Sequence, residues 1–147
     1  MDMPIDRDTE TETDIATLMC GLDAIEDRTW TIGELARDCS VTLRALRFYE
    51  AKGLLDPRRA GAVRLYGAED RRRLRIIVRA KRVGFSLVQI RDLLTLTRPG
   101  SGLDRRMREV RSRLAAQSEP LEAMRREADA ALAALTAEIA AFDRLDA

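Results

Sequence analysis

Apolar residues recur at helical spacing in four short runs between Thr31 and Leu96, and each run carries its own start or stop signal. In the first, Thr31 and Glu34 have capping-box spacing ahead of Ile32, Leu35 and Ala36. After a turn at "CSV", Thr42 caps a second helix that runs through Lys52 and stops at Gly53. Leu43, Leu46, Leu54 and Leu55 supply its core side. A third helix is expected from Ala68 to Val83, with Leu74, Ile77, Val78 and the stem of Lys81 facing inward and Gly84 closing it. Ser86 caps a fourth, whose stripe is Leu87, Ile90, Leu93 and Leu94. The first two helices, short and joined by a tight turn, make a helix-turn-helix unit at about 32–51.

Between the second and third helices the spacing changes. Asp56-Pro57 and Gly61 punctuate "DPRRAGAVRLYG", and "AVRLY" alternates as a strand does, so a small hairpin or wing is expected over about 56–66. Upstream, residues 1–13 are polar, acidic and without periodicity, the signature of disorder. Ile15, Leu18, Met19, Leu22 and Ile25 then form one helical stripe, interrupted by Gly21. That segment either docks on the body of the protein, binds a partner, or frays in isolation.

Past the break at "RPGSG", residues 98–102, a longer pattern begins. One heptad column reads Leu103, Val110, Gln117, Met124, Ala131, Glu138 and Leu145; the other reads Met107, Leu114, Leu121, Ala128, Leu135 and Phe142. Eleven of these thirteen positions are apolar, the pattern of a coiled coil. A single amphipathic helix packed on its own domain is the alternative. At ~1.5 Å per residue, however, the helix would be about 65 Å long, more than a domain of about 70 residues can cover. A second copy is the simplest partner, with Leu103, Met107, Val110, Leu114, Leu121, Met124, Leu135 and Phe142 as the dimerisation contacts. Pro120 should kink or restart this helix. The expected organisation is therefore a partly disordered acidic extension at 1–28, a winged helix-turn-helix domain at 29–98 and a coiled coil at 103–147.

Charge sharpens this division. Residues 1–28 carry nine acidic against two basic side chains, residues 29–98 sixteen basic against seven acidic, and residues 99–147 eight basic against nine acidic. The net charge of +1 thus hides a basic middle module, and concentrated positive charge commonly faces a polyanion, although a solvated basic face is the blander explanation. Arginine outnumbers lysine along the whole chain, as a GC-rich coding sequence would give, so that skew says little about partners. Two cysteines, Cys20 and Cys39, and no histidine are too few for a disulfide framework or a four-ligand zinc site. No signal peptide and no uninterrupted apolar run of membrane-spanning length is present, so a cytoplasmic protein is expected.

Catalysis finds no support. Without histidine, acid–base work would fall on carboxylates, lysine or tyrosine, and no nucleophile motif, phosphate loop or dinucleotide fingerprint occurs. Glu69-Asp70 lies where a helix N-terminus favours negative charge, a stability role. The second helix is richer. A recognition helix turns its N-terminal residues to base edges, which suits Thr42 and Arg44, while Arg47 and Tyr49 lie where phosphates flank the groove. Phe48 packs either on the groove or on the wing. Arg58, Arg59, Arg64 and Tyr66 repeat the mixture of guanidinium and phenol on the wing.

The stretch "TIGELARDCSVTLRALRFYEAKGLLDPRR…VRLYGAEDRRRLRIIVRAKRVGFSLVQIRDLL" resembles the N-terminal half of the MerR family of bacterial transcription regulators. The resemblance covers about residues 30–95 and lies in the order and spacing of its motifs. It implies a mainly α fold: a winged helix-turn-helix followed by a long antiparallel coiled-coil dimerisation helix. It also implies recognition-helix contacts from Arg44, Arg47 and Tyr49, and wing contacts to the DNA backbone from Arg64 and Tyr66. Phe48 stands where the family often has a tyrosine, and Val63 replaces a common wing aromatic. The implied partners are double-stranded DNA at a promoter pseudo-palindrome, a second copy of the chain, and RNA polymerase once the bent and untwisted spacer is aligned. Metal sensing is not expected, because no cysteine or histidine follows Cys39. An effector domain is not expected either, since the coil reaches Ala147. A coiled-coil adaptor with a degenerate helix-turn-helix is the rival reading.

Overall fold

The structure, a computed structural model, describes residues 14–20, 27–97 and 102–146. The acidic stretch at 1–13, the continuation of the first stripe through Leu22 and Ile25, and the break at 98–101 lie outside the described residues. Contacts divide the chain into two compact units, Met1–Met107 and Arg108–Ala147.

The first unit contains the helix-turn-helix. Its elements are α1 (Ile15–Cys20), α2 (Ile32–Asp38), α3 (Leu43–Ala51), β1 (Arg58–Ala60), β2 (Val63–Leu65), α4 (Ala68–Arg82) and α5 (Leu87–Thr95). The expected caps are in place. Thr31 Oγ1 accepts from the Glu34 N–H and the Glu34 carboxylate accepts from the Thr31 N–H, closing a capping box on α2. Thr42 caps α3 by accepting from the Ala45 N–H at 3.1 Å, and Ser86 with Gln89 boxes α5. Gly53 takes φ 71°, a left-handed conformation that ends α3 at small cost for a residue without Cβ.

The core lies where these helices meet. Leu35 on α2, Leu46 on α3, Leu74, Ile76, Ile77 and Ala80 on α4, and Ile90, Leu93 and Leu94 on α5 are buried. Each large side chain buried there contributes about 1.5–3 kcal/mol. The buried arc of α4 differs from the expected one. Ile76 and Ala80 turn inward, whereas Val78 is half-buried and Lys81 exposed. The cause is that α4 is covered from two sides, by α1 and by α5. The apolar stripe at Ile15–Leu18 accordingly docks on the body, with Leu18 fully buried.

Helix α6 (Leu103–Ala116) crosses the division between the units, and α7 (Ser118–Leu145) belongs to the second. Gln117 is the joint: its N–H is shared between the carbonyls of Arg113 and Leu114, and the Ser118 hydroxyl donates to the Ala115 carbonyl at 2.7 Å. The helix thus restarts just ahead of Pro120, which falls in the first turn of α7. There its missing N–H removes no intrahelical bond. No residue of α7 is buried. Among the described residues, no helix is long and apolar enough to cross a membrane.

Candidate nucleic-acid interface

The exposed side of α3 carries Thr42, Arg44, Arg47 and Phe48. Arg44, Arg47 and Glu50 follow one another at intervals of three, so they climb one side of the helix. Neither Arg44 nor Arg47 makes an ion pair among the described residues. Glu50, the one acid of α3, joins that row to the wing: Arg64 Nε donates to its Oε1 and Oε2 at 3.1 and 2.9 Å. The basic row of the helix therefore continues onto β2.

The hairpin is short. Arg58 faces Leu65, Arg59 faces Arg64, and Ala60 faces Val63 across an antiparallel pair. Gly61, first of the two loop residues, takes φ 64°, which suits a tight hairpin loop and disfavours residues with a Cβ. Directly opposite residues share a face, so Arg59 lies with Arg64 while Arg58 lies on the other face with Leu65. Like charges directly opposite are destabilising, and here the Glu50 carboxylate bonded to Arg64 offsets the pair. The sequence offered Arg58 and Arg59 together; register separates them, with Arg59 on the face of Arg64 and Arg58 on the other. Arg59 also lines the same open groove as Glu50.

Two further fastenings fix the hairpin at its base. Asp70 is buried, and its carboxylate accepts from the Asp56 N–H at 3.0 Å and the Gly67 N–H at 3.2 Å, tying the entry of the wing to its exit. Burial pushes its pKa up, against those two donors, which favour the charged form. Trp30 and Tyr66 exchange backbone hydrogen bonds, both at 2.8 Å. The Trp30 ring is buried, with the Arg28 and Arg71 guanidinium groups 5.2 and 5.4 Å from its centre. Sequence reasoning gave Trp30 no role, yet it stands just before the Thr31 cap with Leu35 at N4, the spacing of a hydrophobic staple.

Tyr66 is the expected contact that the structure relocates. Its side chain is fully buried and its hydroxyl donates to Glu50 Oε2 at a long 3.4 Å. Burial, followed by the Glu50 charge, pushes its phenol up to about 12. A ring without exposed surface has nothing to offer a duplex, so Tyr66 is a strut of the wing. Tyr49 is half-buried, with its pKa raised by burial. Phe48 lies outside the core: the residue is 44% exposed, with the Lys52 ammonium 5.6 Å from its ring centre and the Tyr49 ring at 5.8 Å.

Of the expected dimerisation residues, Val110 is buried and Met107 and Leu114 half-buried. Leu103, Leu121, Met124, Leu135 and Phe142 are exposed, as are Leu132 and Ile139, which the heptad columns omitted. Among the described residues no cluster of three or more His, Cys, Asp or Glu side chains is arranged to hold a metal ion.

Comparison with known proteins agrees with this geometry. Residues 30–97 match the MerR HTH family regulatory protein family, and residues 71–138 match the MerR DNA-binding family. The chain is 37% identical over 93 residues to a mercuric resistance operon regulatory protein of Pseudomonas fluorescens, covering 58% of this chain and 65% of that one. It is 43% identical over 72 residues to the HTH-type transcriptional regulator HmrR of Sinorhizobium medicae, covering 48% and 49%. The chain thus spans about half to just under two thirds of the length of these relatives. The crystal structure of HiNmlR, a MerR family regulator lacking the sensor domain and bound to promoter DNA, shares the fold with a TM-score of 0.54. That likeness covers 71% of this chain and 79% of HiNmlR at 24% identity.

Proposed function

This chain belongs to the MerR family of helix-turn-helix regulatory proteins, and from that premise we propose that it regulates transcription as a homodimer bound to a promoter pseudo-palindrome. In this reading the N-terminal part of α3 enters the major groove, with Thr42 and Arg44 toward base edges and Arg47 toward phosphate. Arg59 and the outer nitrogens of Arg64 carry the contact onto the neighbouring backbone, and the exposed stripe of α7 pairs two copies. Spacer DNA would then be bent and untwisted, so that specificity comes from deformability as well as base contact. The observation that carries the reading is the pair Arg44 and Arg47, exposed and without an ion pair among the described residues, continued onto the wing by the half-buried, Glu50-anchored Arg64.

The test is a footprint. Purified full-length chain on promoter DNA upstream of its own gene should protect two symmetric half-sites about one helical turn, or a multiple of it, apart. A stable dimer that protects nothing would favour the adaptor reading instead.

A further inference from the structure

Glu50 is an anomaly on a surface meant for phosphates. It is the sole acid of α3 and sits one helical step beyond Arg47 in the basic row. A carboxylate beside a polyanion weakens binding unless it does something else. Its partners show what that is. Arg64 Nε grips both carboxylate oxygens, and the Tyr66 hydroxyl adds a third bond from the end of the hairpin. The Arg64 and Glu50 side chains retain only 32% and 22% exposure, so the bond is partly shielded from water.

The wing has little else to hold its angle. Its strands are three residues each and none of their residues is buried, and a lone two-stranded hairpin is at best marginally stable in water. Asp70 and the Trp30–Tyr66 bridge fasten the base of the hairpin, and neither reaches the strands' midpoint. Among the described residues, Glu50 is the hydrogen-bonded link between the recognition helix and the body of a wing strand. It takes Arg64 by Nε and leaves the outer guanidinium nitrogens for an external anion.

We propose that Glu50 is a positioning residue of the DNA interface, a latch that sets the angle of the wing on α3 so that helix and wing meet one duplex as a rigid pair. This rests on the DNA-binding reading. It makes a prediction opposite in sign to simple charge: removing a negative charge near phosphates should tighten binding, whereas opening the latch should loosen binding to the correct site.

The experiment measures affinity of the full chain for a duplex it has selected from random sequence, and for an unselected duplex, with Glu50→Gln and Glu50→Asp beside the wild type. Glu50→Asp keeps the negative charge and withdraws the carboxylate from Arg64 by one methylene, and it carries the test should Glu50→Gln fold poorly. The latch predicts that each variant loses about tenfold on the selected duplex, the scale of one charge-assisted bond. Unselected DNA should bind with unchanged or greater affinity, and amides 58–65 should exchange faster with solvent. Tighter binding of Glu50→Gln to both duplexes would overturn the proposal and leave Glu50 a repulsive surface charge. Equal losses on both duplexes would overturn it too, as a general loss of structure. A wild-type chain that selects no duplex at all removes the DNA-binding reading and the latch with it, a result distinct from variants that match a selective wild type.

Discussion

The sharpest consequence of the exposed guanidinium row concerns salt. Arg44, Arg47 and Arg59 are exposed and make no ion pair among the described residues, and Arg64 bonds Glu50 through Nε. If these four meet phosphate or groove in each copy of a dimer, about eight counterions are released, and log K should fall with log salt at a slope of about −7. Raising salt from about 50 to about 200 mM then costs roughly 10⁴ in affinity. Arg47→Ala removes one such contact per copy, so the slope should flatten to about −5.5. The variant's deficit relative to wild type should therefore shrink about tenfold as salt rises from about 50 to about 200 mM. Arg47 is exposed, so folding stability should stay within about 0.5 kcal/mol of wild type. Fluorescence anisotropy of a labelled duplex at four salt concentrations measures both slopes. A deficit that stays constant with salt would refute a phosphate role for Arg47. A deficit confined to one sequence would move it to the base edges.

Two other expectations follow from exposure and burial. Leu135 is 56% exposed, so Leu135→Arg should leave the fold intact yet raise the dimer dissociation constant at least about a hundredfold, because a seam would bury the charge; unchanged sedimentation equilibrium would take the stripe out of the interface. Burial, with the Asp38 charge behind it, pushes the Cys39 thiol up to about 12 from an ordinary value of 9.0. At pH 8 the thiolate fraction falls by about 10³, and the greater nucleophilicity of a more basic thiolate recovers about half of that logarithm. In a Cys20→Ser background, alkylation of Cys39 should thus run about 30-fold slower than that of a free thiol, and denaturant should restore it. Native alkylation at the free-thiol rate would refute the half-buried, protonated thiol.

Local signals were enough for most of the first unit. Thr31, Glu34, Thr42, Ser86 and Gly53 act through neighbours three or four residues away, so their chemistry survives any tertiary arrangement, and the helix limits they imply match the structure. What the sequence withheld are bonds between distant residues. Glu50 meets Arg64 across fourteen positions and Tyr66 across sixteen, and no spacing rule reports that. Tyr66 reads as a contact because phenols commonly are; its burial follows from the Trp30 bridge, a pairing of two residues outside either strand. Arg58 and Arg59 were separable only after register had been assigned, since a one-residue slip exchanges the faces.

The second unit departs from the heptad columns in a way that can be tested. A repeat counted from Leu103 runs through Gln117, but there α6 ends and α7 begins, so nothing requires the column to continue unshifted. From Leu121 onward one column, Leu121, Ala128, Leu135 and Phe142, persists. Its companion passes from Met124 on one side to Leu132 and Ile139 on the other, and these are 62% and 54% exposed. Glu138, which the original column would bury in the seam, then lies at its margin. A partner helix following this face would cross α7 at an angle rather than run straight along it, meeting Met124 at one end and Ile139 at the other. Ile139→Arg should then weaken association as strongly as Leu135→Arg, whereas Glu138→Leu should change it less than about threefold. If Glu138→Leu instead strengthens the dimer by an order of magnitude while Ile139→Arg is silent, the unshifted heptad holds through the joint at Gln117.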